Sequence, residues 1–305
     1  MGARVVRGLS LLGELPLTGG GGEPVDLRRT LASHGVATLP PQRLDEEAWT
    51  LETTLPAGRG RARTVRVREG GRGTAVVELV GAASTRDRER LLATVRHMLR
   101  LDDDLSAFYA IVAADEELAW AAAGAGRMLR SPTVFEDVVK TVCTTNCSWA
   151  LTTTMTTALV AHLGDPAPGG ARAFPSAAAM AAADESFYRE VARSGYRAPY
   201  LRALAESVAS GEVDLEALTD PELADDEAAA RLLALPGIGP YGAAHVMLTS
   251  LGRYSRLVLD SWTRPTYARL AGRKAKDATI ERRFRRYGEW AGLAFWLTLT
   301  RSWVA

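Results

Sequence analysis

Two features of the sequence offer chemistry, and they lie close together. The stretch AAARLLALPGIGPYGAAHVMLTSLGRYSRLVLD runs from Ala228 to Asp260. Its apolar periodicity ends at LLAL, a turn follows at Pro236-Gly237-Ile238-Gly239, and periodicity resumes near Tyr241 with AAHVML, which reads as two helices joined by a tight connection. Gly237 and Gly239 can take positive φ and admit a neighbouring backbone, while Ile238 can plug the contact between the helices. The second helix would begin with free N–H groups and the positive end of its dipole. That is a site for an anion such as a nucleic-acid phosphate, gripped without regard to base sequence. The same glycines would also suit an ordinary αα-hairpin in which they solve packing alone. Asp260 follows 21 residues after Gly239. A carboxylate there can stabilise positive charge that develops in a transition state, or orient an attacking water. An aspartate before a helix is equally a favoured N-cap.

The elements that must position these residues differ along the chain. In the first hundred residues, the runs AWTLETTLP, ARTVRVREG and TAVVELVG are β-prone and separated by Gly, Pro and polar turns, which predicts an antiparallel sheet. VDLRRTLASHG and RERLLATVRHMLRL read as accompanying amphipathic helices, so residues 1–100 are expected to form an α+β domain. From residue 101 to 305 the 3.6-residue period dominates, in SAFYAIVAAD, in TVFEDVVKTVCTTNCSWALTTTMTTALVAHLG and again from Ala228. Those residues are expected to form an all-helical domain. The Gly and Pro content of Gly164–Pro175 marks a loop, and no tandem repeat is evident.

Composition narrows the class. The 305 residues are 47% hydrophobic, enough for a sizeable core and two or three domains. The net charge of +1 hides segregation: Asp184–Ala230 holds 12 acidic and 4 basic residues, Arg231–Ala305 4 acidic and 13 basic, a pattern that suits nucleic-acid binding or solvated helix faces. Lysine occurs only at 140, 274 and 276. Cys143 and Cys147, four apart in a helical pattern, are poorly placed for a disulfide and suit buried packing. Two cysteines fall short of the four that hold an iron–sulfur cluster, so none is expected. The N-terminal run MGARVVRGLSLLGELPL is interrupted by Glu14 and lacks a cleavage-site pattern, giving the expectation of a cytoplasmic protein with no membrane segment.

The hairpin pattern L-P-G-I-G, a residue pair and then alanine, with Asp260 beyond it, resembles the helix-hairpin-helix DNA glycosylase superfamily. The similarity extends to SPTVFEDVVKTVCTTN, to FPSAAAM and GYRAPYLRALAESVASGEVDLEAL, and to YGEWAGLAFWLTLT. With the N-terminal sheet, it points to the 3-methyladenine and 8-oxoguanine branch. The resemblance implies a base-excision-repair enzyme acting on double-stranded DNA that carries a damaged base. The base is flipped out of the stack and the N-glycosidic bond breaks through an oxocarbenium-like transition state, with Asp260 as the catalytic carboxylate. It implies DNA contacts from Gly237, Ile238, Gly239, Tyr241, Gly242, Asn146 and Arg264, and a base pocket walled by Tyr241, His245, Trp262 and Trp290. His245 departs from the aromatic residue usual at its position. Members that also cleave the backbone carry a lysine where this chain has Tyr241, and a phenol forms no imine. A monofunctional enzyme is therefore expected, with Lys140 the one lysine near another motif that keeps lyase chemistry open. Alkylated purines are favoured on the missing lysine and the aromatic positions, whereas the Asp260 spacing and the TTN turn look closer to the 8-oxoguanine branch. A non-catalytic DNA-binding protein is the alternative of another class. No metal is expected beyond a monovalent cation on the hairpin carbonyls, Pro265 is expected to kink or delay the helix after Asp260, and a monomer is favoured.

Overall fold

The computed structural model describes residues 8–58 and 60–304; residues 1–7, part of the run read for a leader, lie outside them. Strands β1 (Leu9–Pro16), β2 (Arg43–Asp45), β3 (Thr50–Pro56), β4 (Ala62–Glu69) and β5 (Thr74–Val80) form one sheet in the order β1-β5-β4-β3-β2, antiparallel throughout. The three expected runs became β3, β4 and β5. On one face Leu51, Val65, Val67, Val77 and Leu79 are buried. On the other, Arg66 and Arg68 reach Glu52 and Glu78 across the strands, each at 3.2 Å, as cross-strand pairing favours. β1 and β2 were not expected. β1 is the apolar patch at the N-terminus, an edge strand on β5 whose partner lies some sixty residues away, so no local pattern reveals it.

The remaining elements are helical: α1 (Leu27–Leu31), α2 (Thr85–Met98), α3 (Ser106–Val112), α4 (Val134–Thr144), α5 (Trp149–Leu163), α6 (Ala177–Ala181), α7 (Ala198–Ser210), α8 (Asp225–Leu233), α9 (Pro240–Val246), α10 (Thr263–Leu270), α11 (Asp277–Phe284) and α12 (Ala291–Thr300). The periodic run from Thr133 is two helices, divided at the TTN turn that the family resemblance implied. Asn146 takes φ +46° and Ser148 caps the new helix by accepting from Leu151 N–H at 3.3 Å, so the chain turns between Thr144 and Trp149. Pro265 neither kinks nor delays α10. It sits in the first turn, where a missing N–H costs nothing.

One core packs against the sheet, and Leu99, Leu101 and Leu129 join it from beyond the strands. Two more cores fill the helical part, and α9 is shared between them. Ala243 and Val246 enter the core of α4, α5 and α7, whereas Ala244 and, one turn on, Leu248 enter the core of α3, α11 and α12. α9 continues into a π-helical turn, Met247–Leu251, which ends at Gly252 with φ +71°. Arg100, 1% exposed, clamps that end: Nη2 donates to the carbonyls of Thr249 (2.7 Å) and Ser250 (2.6 Å), Nε to that of Met128 (2.8 Å), and Nη1 to Asp103 (2.8 Å).

Folding pairs part of the charge segregated along the sequence. Arg253 and Arg256 turn back onto Asp225 and Asp226, both at 2.7 Å, while Arg283 and Arg286 bind Glu117 and Asp115. These four arginines are paired in space, whereas Arg269, Arg273, Lys274, Lys276, Arg282 and Arg285 form no ion pair among the described residues. No helix of the described residues is long and apolar enough to cross a membrane.

Two predictions follow from the buried polar groups. Replacing Arg100 by Met orphans three carbonyls and Asp103, and is expected to cost about 3–5 kcal/mol. Arg256→Ala, whose partner Asp226 is 95% exposed, is expected to cost less than about 1 kcal/mol; urea unfolding compares the two. His34 and His245 are buried, and burial pushes their imidazoles down to about 4 and about 3. The unfolded chain takes up those protons near pH 6.5 and the folded one does not, so stability is complete above about pH 6.5 and declines as pH falls towards 4. The urea midpoint between pH 7.5 and 4.5 should show this slope, and Phe at either position should make it shallower by about one proton, or about 1.4 kcal/mol per pH unit.

Candidate active site

The turn between α8 and α9 divides the work of its glycines unequally. Gly237 is at φ +79°, and a Cβ there would lie 3.0 Å from the Tyr200 ring, so both conformation and space exclude a side chain. Gly239 has φ −105° and ψ −173°, so positive φ is needed at only one of the two. A Cβ on Gly239 would meet nothing within 4 Å, and its bare face is turned to open space. Pro240 starts α9 one residue earlier than the periodicity suggested, in the position where its missing N–H is harmless. The N–H groups at the start of a helix have no intrahelical acceptor, and here they lie on a half-exposed turn. Ile238 and Gly242 are buried. A Cβ on Gly242 would stand 3.4 Å from both Ile238 and Thr141, so Ile238 plugs the hairpin and these two residues offer a ligand only their main chain.

Asp260 ends an extended segment held against α12. Gly292 N–H donates to the Tyr254 carbonyl at 2.6 Å, and a Cβ on Gly292 would strike the Arg256 carbonyl. The Asp260 carboxylate then opens α10. Oδ1 accepts from Trp262 N–H (2.8 Å) and Thr263 N–H (2.6 Å), while Asp260 N–H donates to Thr263 Oγ1 at 2.8 Å. This reciprocal cap fixes the carboxylate, and Oδ2 accepts no hydrogen bond among the described residues.

The glycine turn, Tyr241 and Asp260 border one cleft of about 540 Å³, completed by Thr144–Cys147, Tyr196, Tyr200 and Arg264. Tyr241 Oη lies 3.3 Å from Thr144 Oγ1. Burial holds its phenol above the ordinary tyrosine range, with the Thr144 bond opposing and the Asp260 charge adding to it. Asn146 is exposed in the left-handed conformation that asparagine tolerates, and its amide donates to Tyr196 Oη at 3.4 Å. Arg197 is buried, stacks on the Tyr196 ring at 4.4 Å and donates to the Thr145 carbonyl and hydroxyl, bracing the turn. Tyr196 and Tyr200, 51% and 39% exposed, were not singled out from the sequence. Their signal was two tyrosines four apart at a helix start, in GYRAPY. Arg264 lines the cleft, and its Nε and Nη2 donate to the two carboxylate oxygens of Asp277, each at 2.8 Å.

Other expected site residues stand elsewhere. Trp290 does not reach the cleft. Gly288, at φ 58° and ψ −127°, breaks the turn that precedes it, and the indole stacks on Tyr254 (5.4 Å, 24°) and packs on Phe108 (5.5 Å). His245 lies behind Tyr241 (5.8 Å), in the interior beside His34 (5.8 Å) and Trp296 (6.5 Å). Trp262 borders the Asp260 cap through its N–H, and its ring packs on Trp296 and Trp303 rather than lining the cleft. Lys140 is fully buried and committed to Glu136 (2.6 Å) and Gln42 (2.5 Å), and it does not border the cleft; burial raises the Glu136 carboxyl above its ordinary value, with the Lys140 ammonium opposing. Both cysteines are free; burial pushes the Cys143 thiol up to about 12, and Cys147 lines the cleft. Among the described residues, no group of three or more His, Cys, Asp or Glu is placed to hold a metal ion.

No protein-family model matches the chain. A curated relative is the N-glycosylase/DNA lyase OGG1 of Arabidopsis thaliana, 34% identical over 184 residues, which are 55% of this chain and 49% of that protein. The chain thus spans about half the length of the curated relative it matches. Among solved structures, the 3-methyladenine DNA-glycosylase from Archaeoglobus fulgidus superposes with a TM-score of 0.73 at 22% identity, over 96% of this chain and 100% of that one. The Clostridium acetobutylicum 8-oxoguanine glycosylase/lyase in its apo form gives 0.71 at 20% identity, over 92% and 94%. The chain therefore shares the fold of these DNA glycosylases and, over about half its length, sequence with a curated one.

Proposed function

We infer that this protein is a base-excision-repair glycosylase that removes an oxidised purine from duplex DNA by hydrolysis. The observation that carries the reading is that the capped Asp260 and the open glycine turn border the same cleft. A phosphate seated on the N–H groups of Gly239 and Tyr241 fixes the strand without reading its sequence. That anchoring presents the sugar of an everted nucleotide to Asp260. The oxygen of Asp260 left free by the cap faces developing oxocarbenium charge at the anomeric carbon, or orients the water that adds there as the bond to the base breaks. The carbonyl of Gly237, which accepts no hydrogen bond among the described residues, is available to a monovalent cation at the hairpin.

An oxidised purine takes precedence over an alkylated one. The alkylpurine expectation leaned on the missing lysine and on the aromatic positions of Tyr241 and Trp290; the first ground stands, but Trp290 is committed to Tyr254. The curated relative is named an OGG1, and an 8-oxoguanine enzyme stands among the structural neighbours beside the 3-methyladenine one. Hydrolysis rather than lyase chemistry is supported by Tyr241 at the hairpin and by the burial of Lys140 against Glu136. Lys274 and Lys276, the other two lysines, are not among the residues bordering the cleft.

Duplexes that each carry one lesion test this reading. Free base and an abasic site are expected from the 8-oxoguanine duplex ahead of the 3-methyladenine duplex, and Asp260→Asn should slow release by about 10²–10³-fold. Equal release by the variant, or none by either protein, would sink the assignment. Asparagine caps helices as well as aspartate, so Asp260→Asn should unfold near the wild-type urea midpoint, whereas Asp260→Ala should lose about 0.5–2 kcal/mol. Borohydride added during turnover should trap no protein–DNA adduct, and a trapped adduct would mean that a lysine reaches the sugar after all.

A further inference from the structure

The basic excess of the C-terminal sequence has a spatial counterpart beside the cleft. From Arg264 to Arg285 the chain carries eight basic residues and two acidic ones, Asp277 and Glu281. Arg264 is taken by Asp277 and Arg283 by Glu117. The other six cations are exposed and without an ion pair among the described residues, and Glu281 is the one exposed carboxylate left unpaired among them. Two of these cations are tied to the cleft by the fold. Lys276 directly precedes Asp277, whose carboxylate holds the cleft residue Arg264 at 2.8 Å. Arg285 borders a second hollow of about 510 Å³, which shares Pro240, Tyr241, Leu259 and Arg264 with the cleft. Arg283 and Arg286 turn the other way, onto Glu117 and Asp115. α11 and the turn after it thus have one face paired with the segment after α3 and another, at Arg285, open on the hollow. Arg285 follows Asp277 by eight residues, about 12 Å along a helix axis. One strand of a duplex advances about 3.4 Å per phosphate, so that length matches roughly three or four phosphates.

We propose that α11 and the connection before it form a second DNA surface, a track for one flank of the lesion-bearing duplex, on which Lys274, Lys276 and Arg285 meet backbone phosphates. Duplex DNA is the occupant because the hollow is continuous with the cleft that holds the damaged strand, and because a row of unpaired cations is complementary to a row of phosphates. An unpaired cation meets a phosphate with release of condensed counterions, whereas a paired arginine must first give up its carboxylate. Glu281, one turn before Arg285, subtracts from this attraction without cancelling it. The proposal rests on the glycosylase reading for the place of the strand and adds a surface that the cleft does not contain.

Anisotropy titrations over a salt series test the track with labelled duplexes of about 20 base pairs, either undamaged or carrying a tetrahydrofuran abasic analogue that fixes the register. Combining Lys274→Gln, Lys276→Gln and Arg285→Gln should weaken binding at least about ten-fold and lower the slope of log K against log salt by about 2–3, near 0.9 per lost phosphate contact. Trimming one flank of the analogue duplex to about two base pairs should abolish the difference between wild type and this variant, and trimming the other should not. Glu281→Gln should tighten binding to the full duplex. Arg283→Gln with Arg286→Gln, which removes two charges from the paired face, should leave the slope within about 0.5 of wild type. A triple variant with the wild-type slope, a difference that survives either trimming, or an equal loss on the paired face would overturn the track. Single-turnover release of 8-oxoguanine at saturating enzyme should be unchanged in the triple variant. If wild type releases base and the triple variant keeps the slope, the track is wrong and the glycosylase reading stands. If no lesion duplex yields base and the slope on undamaged duplex falls as stated, the glycosylase reading fails and the DNA surface stands. Should the triple variant not keep the urea midpoint, Arg285→Gln alone carries the comparison, with a slope change of about 0.9.

Discussion

The clamp by Arg100 is the constraint from which the site geometry follows. Its guanidinium spends its donors on two carbonyls at the end of the hairpin helix, one carbonyl before α4 and one carboxylate. A fully buried cation is tolerable only when paired and hydrogen-bonded in this way. Its environment enforces other choices. Arg100 itself stands at φ +54°, a strained conformation for a side-chain-bearing residue, and Gly252 must lack a Cβ because one would sit 2.6 Å from Arg100 Nη1. Fixing the far end of α9 fixes its near end too, since the helix is wedged between two cores. The glycine turn is thereby presented at a defined height above the cleft.

Under the proposed function, Asp260 meets a structural and a chemical demand with one side chain. The cap uses Oδ1 and the adjacent backbone, leaving Oδ2 uncommitted at the cleft. The two readings that the sequence allowed for this residue therefore do not compete. A similar economy appears at the turn after α4, where the break between two helices exposes Asn146 and Arg197 braces it from within.

Arg264 is the one C-terminal arginine among the described residues that borders the cleft. Arg253, Arg256, Arg283 and Arg286 neutralise acids contributed by α8 and the region after α3, and Arg264 is held by Asp277. Under the proposed function, the main-chain N–H groups at the start of α9 are the phosphate site. They carry no side-chain entropy and need no desolvation of an ammonium, and they suit a surface that must slide along any sequence.

The sequence by itself determined the hairpin, three of the five strands, the antiparallel α+β character of the N-terminal part and the spacing of Asp260, because each is written in local periodicity, turn glycines or a capping residue. It also marked the residues around the turn: Asn146, Tyr241 and Arg264 all border the cleft with Asp260. Only the tertiary structure decided which aromatic rings lie near that carboxylate. Trp290 and Trp296 are six residues apart, yet one stacks on Tyr254 and the other packs on Trp262 beside Asp260; the break at Gly288 and the packing of α12 make that choice. It likewise decided that Lys140 is spent on Glu136 and that β1 pairs with β5. Those outcomes depend on partners tens of residues distant, and local sequence encodes a helix face or a strand alternation without encoding what will be packed against it.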